Sequence, residues 1–269
     1  MKINKSGIFR EINNSHNISN VNTSSQGVYL KYDILENGIK YLIKTGRLIG
    51  RYFSLLEPVS ECMAYDIAKC LGVTCAEYIL DTADILYNGI LYKDVVVCKS
   101  RWFLGEDDEF NSARSLYLNT KRSDLYNSII SDYPSQRLNI DNMIVFDFII
   151  NNTDRHLRNF GFINKGLLAP LYDNGLSLGA DMEDIIFLEE DIEDLLLDCD
   201  YNKCFCTCNR EQLTLVKTHS LNIDILYKGY KTIVLKYKKY LKPERLEFIL
   251  RLLEERISYV RKIQFSKER

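Results

Sequence analysis

The most informative part of the chain reads Asn151-Asn-Thr-Asp-Arg-His-Leu-Arg-Asn159, and Tyr172-Asp-Asn-Gly175 follows it. Asp154 stands five residues before Asn159, and Asp173 comes after two short strand-like runs. Phosphoryl transfer needs one carboxylate to orient or deprotonate the attacking hydroxyl. It also needs an amide oxygen and a second carboxylate to hold Mg²⁺ against the phosphates. The spacing therefore predicts a phosphoryl-transfer centre at this loop.

The strand-like runs after the loop are Phe160–Ile163 and Leu167–Tyr172, joined by a turn at Asn164-Lys-Gly166. A hairpin here would return the chain to the loop, so that Asp154, Asn159 and Asp173 converge. Asp and Asn are also common turn residues, and the loop spacing alone favours helix-end turns. The hairpin that leads to Tyr-Asp-Asn-Gly favours a functional site instead.

The first hundred residues have the pattern of a β-rich region with one helix. Asn37-Gly38 separates the apolar runs Val28–Leu35 and Ile39–Lys44, which predicts a β-hairpin. A second hairpin is predicted at Asn88-Gly89, between Ile85–Tyr87 and Ile90–Cys98. The pattern of Pro58–Cys70 is that of an amphipathic helix ended by Gly72.

A nucleotide half should accompany the loop, with a lysine for the phosphates and a helix carboxylate that holds the lysine. Lys44 ends the second strand of the first hairpin, and Glu61 lies on the helix that follows. A lysine at a strand end is usually solvated, and a helix glutamate usually lies on the surface. The order of strand lysine, helix glutamate, loop and Asp173 favours a Lys44–Glu61 pair.

Beyond Lys99 the pattern becomes mainly helical, and we expect a boundary near Trp102–Glu106. Asp141 is the predicted N-cap of an apolar helix over Asn142–Ile150, and Pro243–Ile263 forms a long amphipathic helix. The chain is therefore predicted to have a two-lobed, protein-kinase-like α+β fold. Residues 1–103 would form the nucleotide lobe, and residues 104–269 the lobe that carries the catalytic loop.

Composition excludes few classes of protein. The chain has 269 residues, 46% of them hydrophobic, with a net charge of −2 and a pI of about 6.0, so no overall basic field indicates nucleic-acid binding. No signal peptide or membrane span is evident, and the eight cysteines lack a disulfide pattern. We expect a cytoplasmic location, with release or translocation into a host cell as the alternative.

The segment Asn152-Thr-Asp-Arg-His-Leu-Arg-Asn-Phe-Gly161, with Leu171-Tyr-Asp173, resembles the active-site signature of HipA-like kinases. The short, cell-translocating, pro-inflammatory kinases of bacteria are the members it resembles most. The family is similar in fold to protein kinases and to phosphoinositide 3/4-kinases. The resemblance implies that Asp154 is the catalytic base and that Asn159 and Asp173 bind Mg²⁺. His156 would touch the γ-phosphate or the base, or would serve only as a hydrogen-bonded loop histidine.

Asn22–Lys31 resembles the phosphate-binding loop of this family, with Ser24, Gly27 and Lys31 in register. Small residues would let backbone N–H groups approach phosphate oxygens, although such a stretch is most often a mobile loop. Some family members autophosphorylate a serine here, and we extend that hypothesis to Ser24. Adenine is expected against the backbone of Val97–Arg101, a segment that departs from the family's hinge pattern.

Two other features are less informative. Cys199, Cys204, Cys206 and Cys208 are spaced poorly for tetrahedral Zn²⁺, so reduced thiols are favoured over a metal site. Residues 181–200 carry ten acidic and no basic side chains. This composition predicts an amphipathic helix with a solvated acidic face.

The predicted activity is transfer of the ATP γ-phosphoryl group to a serine or threonine of a protein substrate. A lipid kinase with the same centre remains an alternative, as does a pseudokinase module bound by an antitoxin-like partner. A small-molecule phosphotransferase is disfavoured, because a histidine is expected one or two positions before the aspartate, where Asn152 and Thr153 stand.

Overall fold

The first part of the fold is a four-stranded antiparallel sheet with strand order β1-β2-β6-β5. This computed structural model describes residues 29–164, 166–184, 186, 190–198 and 200–263. The strands of this part are β1 (Lys31–Glu36), β2 (Ile39–Thr45), β3 (Leu48–Ile49), β4 (Tyr52–Phe53), β5 (Tyr78–Tyr87) and β6 (Ile90–Arg101). Both Asn-Gly pairs form the predicted hairpin turns, with positive φ at Asn37, Gly38, Asn88 and Gly89.

Helix α1 runs from Leu56 to Leu71, close to the predicted bounds. Gly72 ends the helix in the left-handed conformation, with φ of 80°, and its N–H donates to the Lys69 carbonyl. One face of α1 packs under the sheet, which explains why a helix with charged residues is so extensively buried. Two of those charged residues, Glu57 and Glu61, therefore face the protein interior.

The second part is mainly helical around a small sheet of order β7-β8-β9. Its strands are β7 (Phe110–Ser112), β8 (Gly161–Ile163) and β9 (Leu167–Leu168). Its helices are α2 (Ala113–Leu116), α3 (Arg122–Asp132), α4 (Arg137–Ile150), α5 (Ile192–Asp198), α6 (Asn209–Leu213), α7 (Ile223–Lys236) and α8 (Pro243–Lys262), with 3₁₀ turns at Pro134–Gln136 and Lys238–Tyr240. A β-rich N-terminal region followed by a helical C-terminal region confirms the predicted mixture of elements.

The strand predicted over Leu167–Tyr172 is wrong beyond Leu168, where β9 ends. Pro170 has no N–H to donate to a ladder, and Leu171 pairs elsewhere. Its N–H donates to the Thr74 carbonyl (2.9 Å), and its carbonyl accepts from Ala76 N (2.8 Å). The segment that leads to Asp173 is thus attached to the chain just after α1.

The predicted role of Asp141 as an N-cap is also wrong. Helix α4 begins four residues earlier, at Arg137, directly after the Pro134–Gln136 turn. Asp141 is buried, and its carboxylate accepts hydrogen bonds from Tyr126 OH (2.6 Å) and Lys217 N (2.9 Å). An aspartate favoured at helix starts here serves a tertiary contact instead.

The acidic stretch over residues 181–200 is helical over only part of its described length, and most of its described acidic residues are exposed, as predicted. Its described part begins in turns and becomes helical as α5. Asp184 pairs with Arg245 of α8 (2.9 Å), and Glu193 pairs with Arg251 of the same helix. Two acidic groups of the stretch are therefore paired with the basic side of α8.

Candidate active site

A cleft of about 850 Å³ is lined by every predicted site residue that the structure describes. These residues are Lys31, Lys44, Glu61, Asp154, His156, Asn159 and Asp173. Ser24 and Gly27 lie outside the described residues. The predicted phosphate-side and loop-side groups are thus brought together in one cavity.

Lys44 and Glu61 form the predicted ion pair. Lys44 Nζ lies 2.5 Å from Glu61 Oε1, and the two residues are only 6% and 2% exposed. Strand β2 delivers the lysine and α1 delivers the glutamate, which is why neither is the usual surface charge. Burial alone would lower the pKa of Lys44, but the carboxylates of Asp173 and Glu61 outweigh it and raise that pKa well above its usual value.

Asp173 is held by two lysines. Its carboxylate accepts from Lys44 Nζ and from Lys31 Nζ, each at 2.9 Å. Burial opposes ionisation, but these two ammonium groups hold the pKa of the carboxyl well below its usual range. The residue has φ of 59°, and its N–H donates to Tyr78 OH (3.1 Å), which fixes this unusual backbone conformation. Asp173 is therefore an ionised, positioned carboxylate.

Glu61 also holds the backbone beside Asp173. Glu61 Oε2 accepts from the N–H of Asn174 at 2.8 Å, while Oε1 pairs with Lys44. One buried carboxylate therefore joins Lys44 to the segment that bears Asp173.

Arg155 connects the loop, the Asp173 segment and α4. Its guanidinium makes a bidentate pair with Asp147 (2.8 and 2.9 Å). It also donates to the carbonyls of Asn159 and Tyr172, both at 2.8 Å, and to Asn174 Oδ1 at 2.5 Å. All five guanidinium N–H donors are therefore used, and the three segments are fixed relative to one another.

Asp154 and Asn159 lie at opposite ends of a closed loop. Asn159 Nδ2 donates to the Asp154 carbonyl (2.9 Å), and the Asp154 N–H donates to Asn152 Oδ1 (3.0 Å). The Asp154 side chain remains partly exposed in the cleft. Its Oδ1 accepts from Lys203 Nζ at 2.5 Å, so a residue far along the chain touches the predicted base.

His156 lies beside the predicted base. Its Nε2 is 3.9 Å from Asp154 Oδ2, and its Nδ1 accepts from the N–H of Arg158 at 3.3 Å. In the neutral imidazole the proton therefore sits on Nε2, on the side of Asp154. The geometry accommodates both roles considered for this histidine, the loop hydrogen bond and contact with the base.

The oxygen donors fit a hard cation. Asp173 offers a carboxylate, and the hydrogen bond from Asn159 Nδ2 leaves the amide Oδ1 as its remaining group. Mg²⁺ usually combines one or two protein oxygens with substrate phosphates and water. Among the described residues, no group of three or more His, Cys, Asp or Glu side chains is placed to hold a metal ion.

The segment expected to contact adenine, Val97–Arg101, lies within the four-stranded sheet. Val97–Ser100 pair with β2 on one side and with β5 on the other, so their backbone groups are used within the sheet. Arg101 pairs with β2, and the N–H of Trp102 donates to the Lys40 carbonyl (3.0 Å). Phe103–Leu104 is the next segment that lines the cleft.

Sequence reasoning missed three residues that act on the site: Tyr78, Arg155 and Lys203. Arg155 stood inside the quoted motif, and its position next to the predicted base was the available signal. Tyr78 lies at the start of β5, of which the sequence analysis predicts only Ile85–Tyr87. Lys203 follows the base by 49 residues in an irregular segment, and no local pattern links the two.

The cysteine cluster makes no disulfide among its described members, since Cys204, Cys206 and Cys208 are free thiols. Cys208 is the N-cap of α6, and its Sγ accepts from the N–H of Glu211 at 3.3 Å. Cys199 lies outside the described residues. No helix in the described ranges has the length and apolarity that crossing a bilayer requires.

No protein-family model and no curated protein matches the sequence. The fold is similar to the Helicobacter pylori proinflammatory kinase CtkA, with a TM-score of 0.65 at 20% identity over 85% of this chain and 90% of that chain. A weaker overlap, with a TM-score of 0.45 at 13% identity, relates 90% of this chain to 67% of a chain from the Shewanella oneidensis toxin–antitoxin complex of HipA, HipB and operator DNA. The similarity to CtkA thus confirms, at the level of the fold, the predicted resemblance to the short pro-inflammatory kinases of bacteria.

Proposed function

We propose that this protein is a Mg²⁺-dependent kinase that transfers the γ-phosphoryl group of ATP to a serine or threonine of a protein. The observation that carries the proposal is the shared cleft of the Lys44–Glu61 pair, Asp173, Asn159 and Asp154. A turn-residue role for Asp154 and Asn159 does not account for a buried lysine paired to carboxylates in the same cavity. In this proposal, residues 1–103 and 104–269 are the two lobes of a protein-kinase-like fold.

Lys44 and Lys31 would bind the phosphates of ATP. Both ammonium groups already converge on one point of the cleft, at the Asp173 carboxylate. Glu61 keeps Lys44 extended and charged, so its position does not depend on the ligand. Mg²⁺, when bound by Asp173 and Asn159, would neutralise charge on the phosphate oxygens.

Asp154 would act on the acceptor. Its partly exposed carboxylate can accept a hydrogen bond from a serine or threonine hydroxyl, orient the oxygen and take its proton as transfer proceeds. The loop hydrogen bonds to Asn152 and Asn159 fix the backbone on both sides of this carboxylate. The base is therefore positioned before the acceptor binds.

The proposal has two further elements. Ser24 would be a site of autophosphorylation, which phosphopeptide mapping of the purified protein would detect. An antitoxin-like partner would restrain the active kinase, and co-purification with a chain encoded nearby would reveal it.

The direct test is transfer of label from γ-labelled ATP in the presence of Mg²⁺. The folded protein would be incubated with a protein lysate or with phosphoinositide vesicles, followed by phosphoamino-acid analysis. We expect phosphoserine or phosphothreonine on protein, and its loss in the near-isosteric Asp154→Asn variant. Label found only on lipid would identify a lipid kinase. Absence of both transfer and a Mg-ATP thermal shift would contradict a kinase.

A further inference from the structure

A second cavity, of about 460 Å³, adjoins the candidate active site. It shares His156 and Arg158 with the nucleotide cleft, and Lys203 on its wall contacts Asp154. Its lining includes Arg114, Arg122, Arg158 and Lys203, together with Leu125 and Tyr201. We call it the cationic pocket.

The charge of this pocket is one-sided. It is lined by three arginines and a lysine, whereas no aspartate or glutamate of the described chain lines it. The whole chain has a net charge of −2, so the excess of cations is local. Like charges held at one surface raise the local concentration of an anionic ligand.

Two of the four cationic side chains already make polar contacts within the protein. Arg122 donates to the backbone carbonyls of Cys204 (3.0 Å) and Asn202 (2.9 Å), which shapes the loop that carries Lys203. Lys203 itself pairs with Asp154. These side chains build the pocket and join it to the predicted base.

The other two cations are available to a ligand. Arg114 and Arg158 are exposed, and neither forms an ion pair with any residue in the part of the chain that the structure describes. A planar guanidinium binds carboxylate or phosphoryl oxygens through two parallel hydrogen bonds. The pocket therefore offers an anion, close to Asp154, two guanidinium groups that have no ion-pair partner among the described residues.

We propose that the cationic pocket binds an anionic side chain of the protein acceptor, a carboxylate or phosphoryl group close to the serine or threonine that is phosphorylated. The inference rests on the proposed kinase function and names the class of acceptor. The pocket meets the cleft at His156 and Arg158 but is not lined by Lys44 or Asp173. An acceptor held there reaches Asp154 without occupying the part of the cleft assigned to the nucleotide.

A polypeptide fits this surface better than a phosphoinositide headgroup. Two available guanidinium groups match one anionic side chain, whereas a polyphosphorylated headgroup carries several charges. Tyr201, 54% exposed, also lines the pocket, together with Leu125 and Leu157. A mixed aromatic and arginine surface is typical of protein-binding sites.

The test compares two serine peptides that differ only in Asp or Asn beside the serine. We expect the wild type to phosphorylate the Asp peptide with a higher kcat/KM. Arg114→Glu, which lies outside the nucleotide cleft, should lower the ratio of the two kcat/KM values about tenfold, because it reverses one charge of the pocket. Arg114→Gln should give a smaller decrease. Lys228→Gln, an exposed charge change on α7, should leave the ratio unchanged.

A binding measurement separates this inference from the proposed function. Fluorescence anisotropy of the labelled peptides needs no phosphoryl transfer, and the Asp peptide should bind more tightly to wild type than to Arg114→Glu. Equal binding of the Asp and Asn peptides, or a preference that survives Arg114→Glu, would overturn the pocket while leaving the kinase proposal intact. Binding of phosphoinositide vesicles that depends on Arg114, without a peptide preference, would overturn the peptide assignment. Peptide binding without transfer would count against the kinase alone.

Discussion

Arg155 and Asp147 form a buried bidentate ion pair, with nitrogen–oxygen distances of 2.8 and 2.9 Å and with exposures of 0% and 1%. The same guanidinium holds the carbonyls of Asn159 and Tyr172. The pair thus sets the position of the loop that bears the predicted base relative to the segment that bears Asp173. Its partner Asp147 belongs to α4, a helix buried over most of its length.

Arg155→Met should lower the free energy of unfolding by about 3–5 kcal/mol, because it leaves the Asp147 carboxylate buried without its counter-charge. Urea denaturation measures the change. The double variant Arg155→Met, Asp147→Leu should regain much of that stability while phosphoryl transfer stays low, since the Asn159 and Tyr172 carbonyls lose their donor. Full recovery of activity in the double variant would contradict the positioning role of Arg155.

Asp154→Ala and Asp173→Ala should affect different steps. The first should reduce turnover roughly a thousandfold with ATP affinity almost unchanged. The second should weaken binding of Mg-ATP but not of ATP in the presence of a chelator, because Lys44 and Lys31 then remain available to the phosphates. Isothermal titration calorimetry with and without Mg²⁺ distinguishes these outcomes. An equal loss of affinity in both variants would refute the division of roles.

The low pKa of Asp173 predicts a pH dependence of stability. Because the folded-state pKa lies below the value of about 3.9 in the unfolded chain, the ionised carboxylate stabilises the native state at neutral pH. That contribution should disappear as the pH falls below about 4. The difference in unfolding free energy between wild type and Asp173→Asn should therefore shrink over this acidic range. A difference that is constant with pH would show that the two lysines do not stabilise the ionised form.

Lys203→Met should lower kcat about tenfold or more, with a smaller effect on the KM for ATP, because the lysine contacts Asp154 at the end of the cleft where the acceptor reacts. Lys203→Arg should retain part of the activity, since the positive charge remains. Lys228→Met, on the exposed side of α7, provides the control. A rise in KM alone would assign Lys203 to nucleotide binding.

Asp141→Ala measures how much the buried hydrogen bonds of this carboxylate stabilise the fold. As a buried acceptor for Tyr126 OH and Lys217 N, its loss should cost about 3 kcal/mol of unfolding free energy. A surface N-cap would cost about 1 kcal/mol. Asp124→Ala, in the exposed first turn of α3, is the matched control and should have little effect. Similar losses of unfolding free energy in both variants would contradict this structural role of Asp141.

Much of the site could be predicted because its signals are local. Asn37-Gly38 and Gly72 require backbone conformations that few other residues adopt, so they mark a turn and a helix end directly. Lys44 and Glu61 were paired because a phosphate-binding lysine needs a carboxylate on the next helix, and both elements were visible. The chemistry expected of the site therefore predicts a contact between two residues that lie 17 positions apart in the sequence.

The rest depends on tertiary contacts that no window of sequence contains. Lys203 meets Asp154 only because the irregular segment around it folds back, where Asn202 Nδ2 donates to the Asn152 carbonyl. The propensity of aspartate for helix starts favours an N-cap at Asp141. In the structure its carboxylate instead accepts hydrogen bonds from two distant segments. The strand expected up to Tyr172 ended early, because Leu171 pairs with residues next to Cys75.

The two salt bridges of Asp173 occupy its carboxylate with the ammonium groups of Lys31 and Lys44. An incoming cation alone must displace two ammonium groups from the carboxylate, and an incoming polyanion that attracts those ammonium groups leaves the carboxylate uncovered. In a ligand that carries both charges, the anionic part draws the two ammonium groups away from the carboxylate. The cationic part can then take their place at Asp173. We therefore expect the resting site to bind a ligand that brings both signs of charge together more tightly than it binds either ion alone.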